Sequence, residues 1–392
     1  MIEFNNIKIF TDDIEQSALE QLKTLDGTGV FDGQPIRIMP DVHTGIGCVI
    51  GFTAPIKDKI IPNLVGVDIG CGMLCVSLGK MDIDLSELDG IIRKTIPSGR
   101  TVGERSEEAA QLIAQLDCKN RLSKFDWLES SLGTLGGGNH FIEVDEDGNG
   151  EKYLIIHSGS RNLGKQVAEY YQDLAVSELN YSDITRVIEE LKSQGRDKEI
   201  SAALKALERN PKLPKHLCYL QGESMRHYLH DMAVCTEFAN KNRYTMSQRI
   251  INALFGKSAD DFYSFTTRHN YIGEDNYIRK GAISAKKGER VLIPLNMRDG
   301  CIVGIGKGNP DWNYSAPHGA GRIMSRAKAR EQIKIEDFKN TMLGIYSTTV
   351  GAETLDEAPF AYKPSEEIIS LVKDTVKIEK IIKPIYNYKS GE

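Results

Sequence analysis

Five of the eight histidines lie in turns rich in glycine or asparagine. They are His43 in Asp41-Val-His43-Thr-Gly, His140 in Gly136-Gly-Gly-Asn-His140-Phe, His157 in His157-Ser-Gly-Ser-Arg161, His269 in Arg268-His269-Asn270 and His318 in Pro317-His318-Gly-Ala-Gly-Arg322. A further turn, Gly66-Val-Asp68-Ile-Gly-Cys71-Gly, carries a carboxylate and a thiol three residues apart. Imidazole, thiolate and carboxylate are the side chains that bind transition metals, and imidazole is also a nucleophile. Glycine lets the backbone approach a ligand closely, and turns held by a scaffold are where such chemistry sits. Histidines of an ordinary core lie in apolar periodic segments, and these five do not. The pattern points to one polynuclear site assembled from distant turns.

The spacing of Asp68 and Cys71 lets both converge on one ion. A lone cysteine is equally a small buried hydrophobe, and each histidine taken singly is more often structural than a ligand. His140, His157 and His269 in turns beside Asp-x-x-Cys shift the balance toward a site. From donor chemistry alone, zinc is the first metal to name. His43 falls outside this set. His216, His227 and His230 lie in a helical stretch and are read as surface or packing residues.

His318 precedes Gly319-Ala-Gly-Arg322, and alanine, arginine, methionine, lysine and glutamate dominate the residues that follow. Their composition predicts a helix over 319–333. A helix start there would favour phosphate, with Arg322 and Arg326 on the face of His318. Attack of a neutral imidazole on phosphorus would give a phosphoramidate. The competing reading, that His318 caps the helix and the arginines form a solvated face, stays open on these residues alone. Gly136-Gly-Gly-Asn-His is a weak candidate phosphate cradle. Arg161 is either a phosphate ligand or the salt bridge that holds its own turn.

These turns need elements to position them. Residues 1–80 read as short strands and turns, with strands at Pro35-Ile-Arg-Ile-Met-Pro and Cys48-Val-Ile-Gly-Phe-Thr. Residues 84–120 are helical in character, with Leu85, Leu88, Ile91 and Ile92 at helical spacing. Tyr153-Leu-Ile-Ile-His157 reads as a buried strand with its histidine at the C-terminal end. Residues 163–255 lose glycine and take on a helical period, interrupted by Asn210-Pro-Lys-Leu-Pro; they are expected to form a helical insertion or subdomain. Strands return over 289–306. A helix is expected near 365–382, then an extended Lys383-Pro-Ile-Tyr-Asn-Tyr-Lys389. The expectation is one large mixed α/β domain over residues 1–392, with a β-rich core and a helical subdomain over about 163–255.

The chain has 392 residues, 40% hydrophobic and 27% charged, which describes a globular protein with ample core. Its net charge of −6 supplies no general attraction for nucleic acid, so any RNA contact must come from a local basic patch. Seven scattered cysteines without a CxxC pair argue for a reducing compartment. The start, Met1-Ile-Glu-Phe-Asn-Asn, has no basic region followed by an apolar stretch, and no apolar run approaches the ~20 residues of a membrane span. The expected location is the cytoplasm.

Taken in order, Asp68-x-x-Cys71, Gly138-Asn-His140-Phe-Ile-Glu143, His157-Ser-Gly-Ser-Arg161 and His318-Gly-Ala-Gly-Arg322 closely resemble the RtcB family of RNA ligases, from about residue 38 to the C-terminus. The resemblance implies two manganese ions bridged by cysteine. Asp68, Cys71 and His140 would hold one, and Cys71, His157 and His269 the other. It implies that GTP guanylylates His318, with Arg161 and Arg322 as catalytic partners. It places the guanylate among Asn139, His140, Phe141, Ile142, Glu143, His269, Asn270, Pro294, Asn296, Met297, Cys301, His318, Gly319, Ala320, Gly321 and Lys389. The implied activity joins RNA 3′-phosphate or 2′,3′-cyclic phosphate ends to 5′-hydroxyl ends, in tRNA splicing or RNA repair. The sequence departs from the family at one place. Pro294-Leu-Asn296-Met-Arg298-Asp-Gly-Cys301-Ile stands where Pro-Gly-Ser-Met-Gly and a following Ser-Tyr are usual, so Asn296 and Cys301 replace serines. Two alternatives use part of the constellation. A metal-dependent phosphoesterase needs the ions without His318, and a non-catalytic RNA-end-binding protein needs only basic residues.

Overall fold

Alternation along three strands decides which side chains face the site. In Gly72–Gly79, Leu74, Val76 and Leu78 enter one core cluster while Met73 and Cys75 enter another. Phe141–Glu146 and Lys152–Ser158 repeat the split, with Ile142, Val144, Leu154 and Ile156 on the first side and Phe141, Tyr153 and Ile155 on the second. Successive strand side chains point to opposite faces, so Glu143, Asp145 and His157 share the second side. The computed structural model describes residues 1–180, 184–203 and 212–391, with the side chains of 184–186 left aside.

Those strands belong to a seven-stranded sheet. Its order is Ser264–Arg268, Gly72–Gly79, Lys152–Ser158, Phe141–Glu146, Val376–Lys389, Gly300–Gly306 and Arg290–Asn296. All its pairings are antiparallel. A six-stranded sheet runs Ile2–Phe4, Ile7–Ile9, Ile36–His43, Ile50–Pro55, Tyr277–Lys280 and Asn270–Ile272. A short pair, Ala282–Ser284 with Ser315–Pro317, carries the chain from the first region to His318. The architecture is mixed α/β, a single domain with a large β-rich core.

Helices cover the first side of the seven-stranded sheet. Leu85–Thr95 starts at Asp84, whose carboxylate accepts from the backbone N–H groups of Ser86 and Glu87, and it buries Leu88 and Ile92, one turn apart. The long helix Gly222–Phe255 lays Met246, Ile250 and Ile251 against the same cluster. Its earlier half packs Tyr228, Met232, Cys235 and Phe238 into the core under the six-stranded sheet, together with Leu163, Val167 and Tyr171 of Arg161–Asn180. Each buried leucine or isoleucine contributes roughly 1.5–3 kcal/mol, so this helix is fixed at both ends of the molecule. The helical period over 163–255 appears as Arg161–Asn180, Ile184–Ser193 and Gly222–Phe255. Asn210 and Pro211 of the expected interruption lie outside the described residues.

Three expectations are corrected. Residues 1–80 contain a helix, Gln16–Asp26, which buries Ala18, Leu22 and Leu25. The helix expected over 319–333 begins only at Arg326 and runs to Gln332, because Ser325 caps it and Gly321 holds a left-handed turn at φ +74°. His318 therefore stands at the end of a strand, away from any helix start. The helix near 365–382 ends at Leu371, and Val376–Lys389 is a strand.

Candidate metal and nucleotide site

The five expected metal ligands come together although they are up to 201 residues apart along the chain (Asp68 to His269). The Cys71 Sγ lies 3.5 Å from His140 Nε2 and 3.3 Å from His157 Nε2. His140 Nε2 is 3.1 Å from Asp68 Oδ2, and His157 Nε2 is 3.4 Å from His269 Nε2. The thiol is thus the shared member of two donor sets. His140 Nδ1 donates to the Leu135 carbonyl at 2.9 Å and His157 Nδ1 to the Asn139 carbonyl at 3.2 Å. A carbonyl only accepts, so the proton of each ring sits on Nδ1 and the Nε2 lone pair faces the cluster, as metal-binding histidines are arranged.

The electrostatics fit a cation. Burial holds the His157 and His269 imidazoles well below their ordinary range, so both are neutral. Burial, and then the Asp68 carboxylate, pushes the Cys71 thiol far up. Burial works against ionised Asp68, but His140 beside it keeps the carboxyl below its usual value. A thiol in such a place ionises when a cation shares its pocket. Neutral imidazoles, a carboxylate and a central sulfur form a donor set for divalent transition metals. The approach is close: a Cβ on Gly159 would lie 2.1 Å from Asp68 Oδ1, so that turn tolerates no side chain.

His318 stands beside the cluster, its ring centroid 4.8 Å from that of His269. Its Nδ1 lies 2.7 Å from Asp41 Oδ2, and the same oxygen accepts its backbone N–H at 3.1 Å. Asp41 is fully buried on the strand Ile36–His43. A Cβ on Gly321 would sit 2.5 Å from the Asp41 carbonyl, so the glycine lets the 318–322 loop lie on that strand. An Nδ1–H held by a carboxylate leaves the Nε2 lone pair free, the arrangement of an activated histidine.

A cavity of about 300 Å³ joins these parts. Asp68, Cys71, His157 and His269 line one region of it, with His318, Gly319, Ala320, Gly321 and Arg322 alongside. Asn139, Phe141, Glu143, Asn270, Pro294, Asn296, Met297 and Lys389 also line it. Four expected site residues do not. His140 reaches Asp68 and Cys71 from behind. Ile142 points into the core on the first side of the sheet. Cys301 is buried, with its thiol 3.9 Å from Glu143 Oε1. Arg161 lies outside, donating to Thr134 Oγ1 at 3.1 Å and to the Gly99 carbonyl at 3.0 Å, and so ties together the 98–99 and 134–136 turns. His216, His227 and His230 are exposed and remote, and His43 lines the cavity.

Several lining residues carried no sequence signal. Glu357 accepts from Lys389 Nζ at 2.6 Å, Arg326 Nη1 at 2.8 Å and Arg322 Nη1 at 3.2 Å. Burial alone would raise its carboxyl, but the three cations hold it at about 2. Asn387 donates to Glu143 across paired strands, leaving its own Oδ1 without a partner. Burial raises both the Glu143 and the Asp145 carboxyls. Asn296 turns its amide back on the hairpin, donating to Asp299 Oδ2 at 2.8 Å and accepting from the backbone of Arg298 and Asp299. Arg298 is tied to Asp299 and Thr341.

Comparison with known proteins gives the class. A family model described as tRNA-splicing ligase RtcB matches residues 29–127 and 119–390. RNA-splicing ligase RtcB1 of Escherichia coli (strain ATCC 25922) is 32% identical over 381 residues, covering 88% of this chain and 87% of that protein. RNA-splicing ligase RtcB of Escherichia coli K12 is 31% identical over the same shares. A tRNA-splicing ligase RtcB of Archaeoglobus fulgidus is 26% identical over 454 residues, covering 92% and 88%. The protein is an RNA ligase. It belongs to the RtcB family.

Proposed function

We propose that this ligase joins an RNA 3′-phosphate or 2′,3′-cyclic phosphate end to a 5′-hydroxyl end, using GTP and a covalent His318–GMP adduct, in tRNA splicing or RNA repair. The observation that carries the reading is the shared cavity. An imidazole oriented by Asp41 lies against a Cys71-centred donor set at one place, and Glu143 and Lys389 offer an acceptor and a cation for a nucleotide at another. Asp68, Cys71 and His140 would hold one manganese ion, and Cys71, His157 and His269 the second. When bound, two such ions polarise phosphoryl oxygens and stabilise developing charge.

The protein groups then act in turn. His318 Nε2 attacks the α-phosphorus of GTP, the bond to pyrophosphate breaks, and the Asp41 carboxylate balances the charge on the imidazole. A 2′,3′-cyclic end is first opened by water, the bond from phosphorus to the 2′-oxygen breaking; an oxygen of the 3′-phosphate then attacks the same guanylate phosphorus and His318 leaves as neutral imidazole. The 5′-hydroxyl oxygen attacks the activated 3′-phosphorus, GMP leaves, and the hydroxyl proton passes to solvent. Arg322 and Arg326, on the cavity wall, are the candidate phosphate contacts. All seven cysteines are free, which suits a reducing compartment and supports the expected cytoplasmic location.

Labelled GTP with Mn²⁺, followed by a denaturing gel, tests this. Label should stay on the native chain and vanish from His318→Ala, which should keep its metals. Label that persists in the variant, or that maps to a lysine, rules out the nucleophile. Opening of a cyclic phosphate with no covalent label would favour a phosphoesterase.

A further inference from the structure

Two adjacent residues on the long helix Gly222–Phe255 touch three segments that carry or aim the metal-site side chains. Asn242 is fully buried. Its Oδ1 accepts from the backbone N–H groups of Gly133 at 2.7 Å and Thr134 at 2.9 Å. Its Nδ2 donates to the Thr134 carbonyl at 3.0 Å, Ser158 Oγ at 3.1 Å and the Gly159 carbonyl at 3.1 Å. Arg243 is 1% exposed. Its Nη1 donates to the Ser158 carbonyl at 2.7 Å and the Gly70 carbonyl at 3.1 Å, and its Nη2 to Asn240 Oδ1 at 2.7 Å.

Each contact outside the helix lands within a residue or two of a ligand or of a group that aims one. Gly70 immediately precedes Cys71, and Ser158 immediately follows His157. Leu135, next to Thr134, supplies the carbonyl that sets the ring of His140, and Ser158 Oγ donates to that same carbonyl at 2.9 Å. Only His269 lies outside this reach, and its backbone N–H donates to the Cys71 carbonyl at 2.9 Å. Arg243 makes no ion pair among the described residues, and its Nε has no partner. An unpaired buried cation is expensive to keep. A neutral side chain would join two carbonyls at lower cost, so the positive charge needs another reason. Burial works against that charge and Arg268 opposes it, while Asp68, and the Cys71 thiol once a cation ionises it, lie near enough to favour it.

We propose that Asn242 and Arg243 are positioning residues of the metal centre: together they fix the separation of the Cys71 turn, the end of the His157 strand and the Gly133–Leu135 turn, and so set how tightly the ions are held. The inference rests on the metal-centre reading given above. Partners that orient first ligands typically govern metal affinity by ~10–100-fold.

The test uses the full chain and two close variants. Asn242→Asp keeps the size and both acceptances while removing three donations. Arg243→Lys keeps a cation but has one nitrogen where the guanidinium uses two, so it cannot meet both carbonyls and Asn240 Oδ1 in the same geometry. Each protein is titrated with Mn²⁺, and separately with Co²⁺, whose thiolate absorption band reports Cys71. Circular dichroism and melting of the metal-free protein report the fold. Both variants should fold, bind the ions ~10–100-fold more weakly and show a smaller metal-induced rise in melting temperature. Should either fail to fold, Asn240→Ala reads the same quantity, since it removes the carboxamide whose oxygen orients Arg243 Nη2 and leaves both carbonyl contacts in place, and weaker metal binding is again expected. A folded variant set with native metal affinity overturns the proposal, as does a lower metal-free melting temperature with affinity unchanged, which is what a purely structural role produces. A native chain that takes up no metal overturns the metal centre itself, and the positioning role with it.

Discussion

At the scale of single residues, the pairing of Asp41 with His318 and the central place of Cys71 make separable demands on the chemistry. Asp41→Asn preserves shape but sets an amide against His318 Nδ1. If its N–H faces the ring, the imidazole proton moves to Nε2 and the attacking lone pair is lost. By comparison with orienting carboxylates in catalytic triads, adduct formation should fall ~10²–10⁴-fold. Metal content should stay native, because Asp41 touches none of the five donors. Single-turnover labelling with GTP, alongside elemental analysis, measures both; native labelling in this variant sinks the role of Asp41. The donor distances make a second demand. Cys71 Sγ is within 3.5 Å of histidines from both sets, so Cys71→Ala should lose both ions. His157→Ala should chiefly weaken the one held with His269. Two metals retained per chain in Cys71→Ala would remove the bridging role. The types and turns of these residues were readable in the sequence, whereas their division into two sets came from family resemblance. Asp41 was visible only as part of Asp41-Val-His43, because its role depends on a loop that arrives 277 residues later along the chain. On the sequence the strand ends at Pro40 and Asp41 falls in the turn that follows, where an acid is ordinary.

At the scale of elements, the hairpin Arg290–Asn296 with Gly300–Gly306 is where this chain departs from its family. The Asn296 amide is committed at both ends to its own turn, and the Cys301 thiol lies under the sheet against Glu143. Neither therefore offers a free hydroxyl-like group to a nucleotide. A lost hydrogen bond to a base edge costs ~0.5–1.5 kcal/mol, roughly a 2- to 12-fold loss of preference. GTP should still form the adduct but be less strictly preferred over ATP and dGTP than in an Asn296→Ser, Cys301→Ser double variant. Equal and strict selectivity in both proteins would show that the hairpin does not set nucleotide choice. Elements with a strong apolar signal were legible: Tyr153-Leu-Ile-Ile, ahead of His157, is a short unbroken apolar run, as a strand buried on both faces should be, and Leu88 and Ile92 mark their helix. The failures have local causes. Ala18, Leu19, Leu22 and Leu25 are helically spaced, but the segment is short and its remaining positions are polar. Past Thr375, the helical spacing of Ile368 and Val372 gives way to β-branched Val376, Ile378, Ile381 and Ile382, which pair with neighbouring strands instead. Between Gly319 and Ser325, favourable composition lost to two glycines and a capping serine, because a turn was needed to lay His318 on Asp41.

At the scale of the whole molecule, Glu357 is the junction of three distant segments: the 318–326 loop through Arg322 and Arg326, the C-terminal strand through Lys389, and its own short helical turn Ala352–Glu357. This junction closes one wall of the cavity, so its ionisation ties the shape of the site to the stability of the fold. In the folded state the three cations hold the Glu357 carboxyl at about 2, against an ordinary value near ~4.3 in an unfolded chain. The folded pKa is depressed, so the contribution is fully present above the unfolded value and is lost as pH falls through the folded one. With one unit equivalent to about 1.4 kcal/mol, the contribution is of the order of 3 kcal/mol. Other paired carboxylates, such as Asp147, titrate in the same window, so the native acid limb alone does not isolate Glu357. The comparison with Glu357→Gln does, because those groups are common to both proteins. The variant should be less stable than the native chain near neutrality, and the gap should close as pH falls from about 4.5 toward about 2. Urea unfolding of the two proteins at several pH values between 2 and 7 gives the difference directly. A gap that stays constant across that range would mean that Glu357 stabilises the fold without its charge, and that the cations around it do not hold the wall of the site by ion pairing.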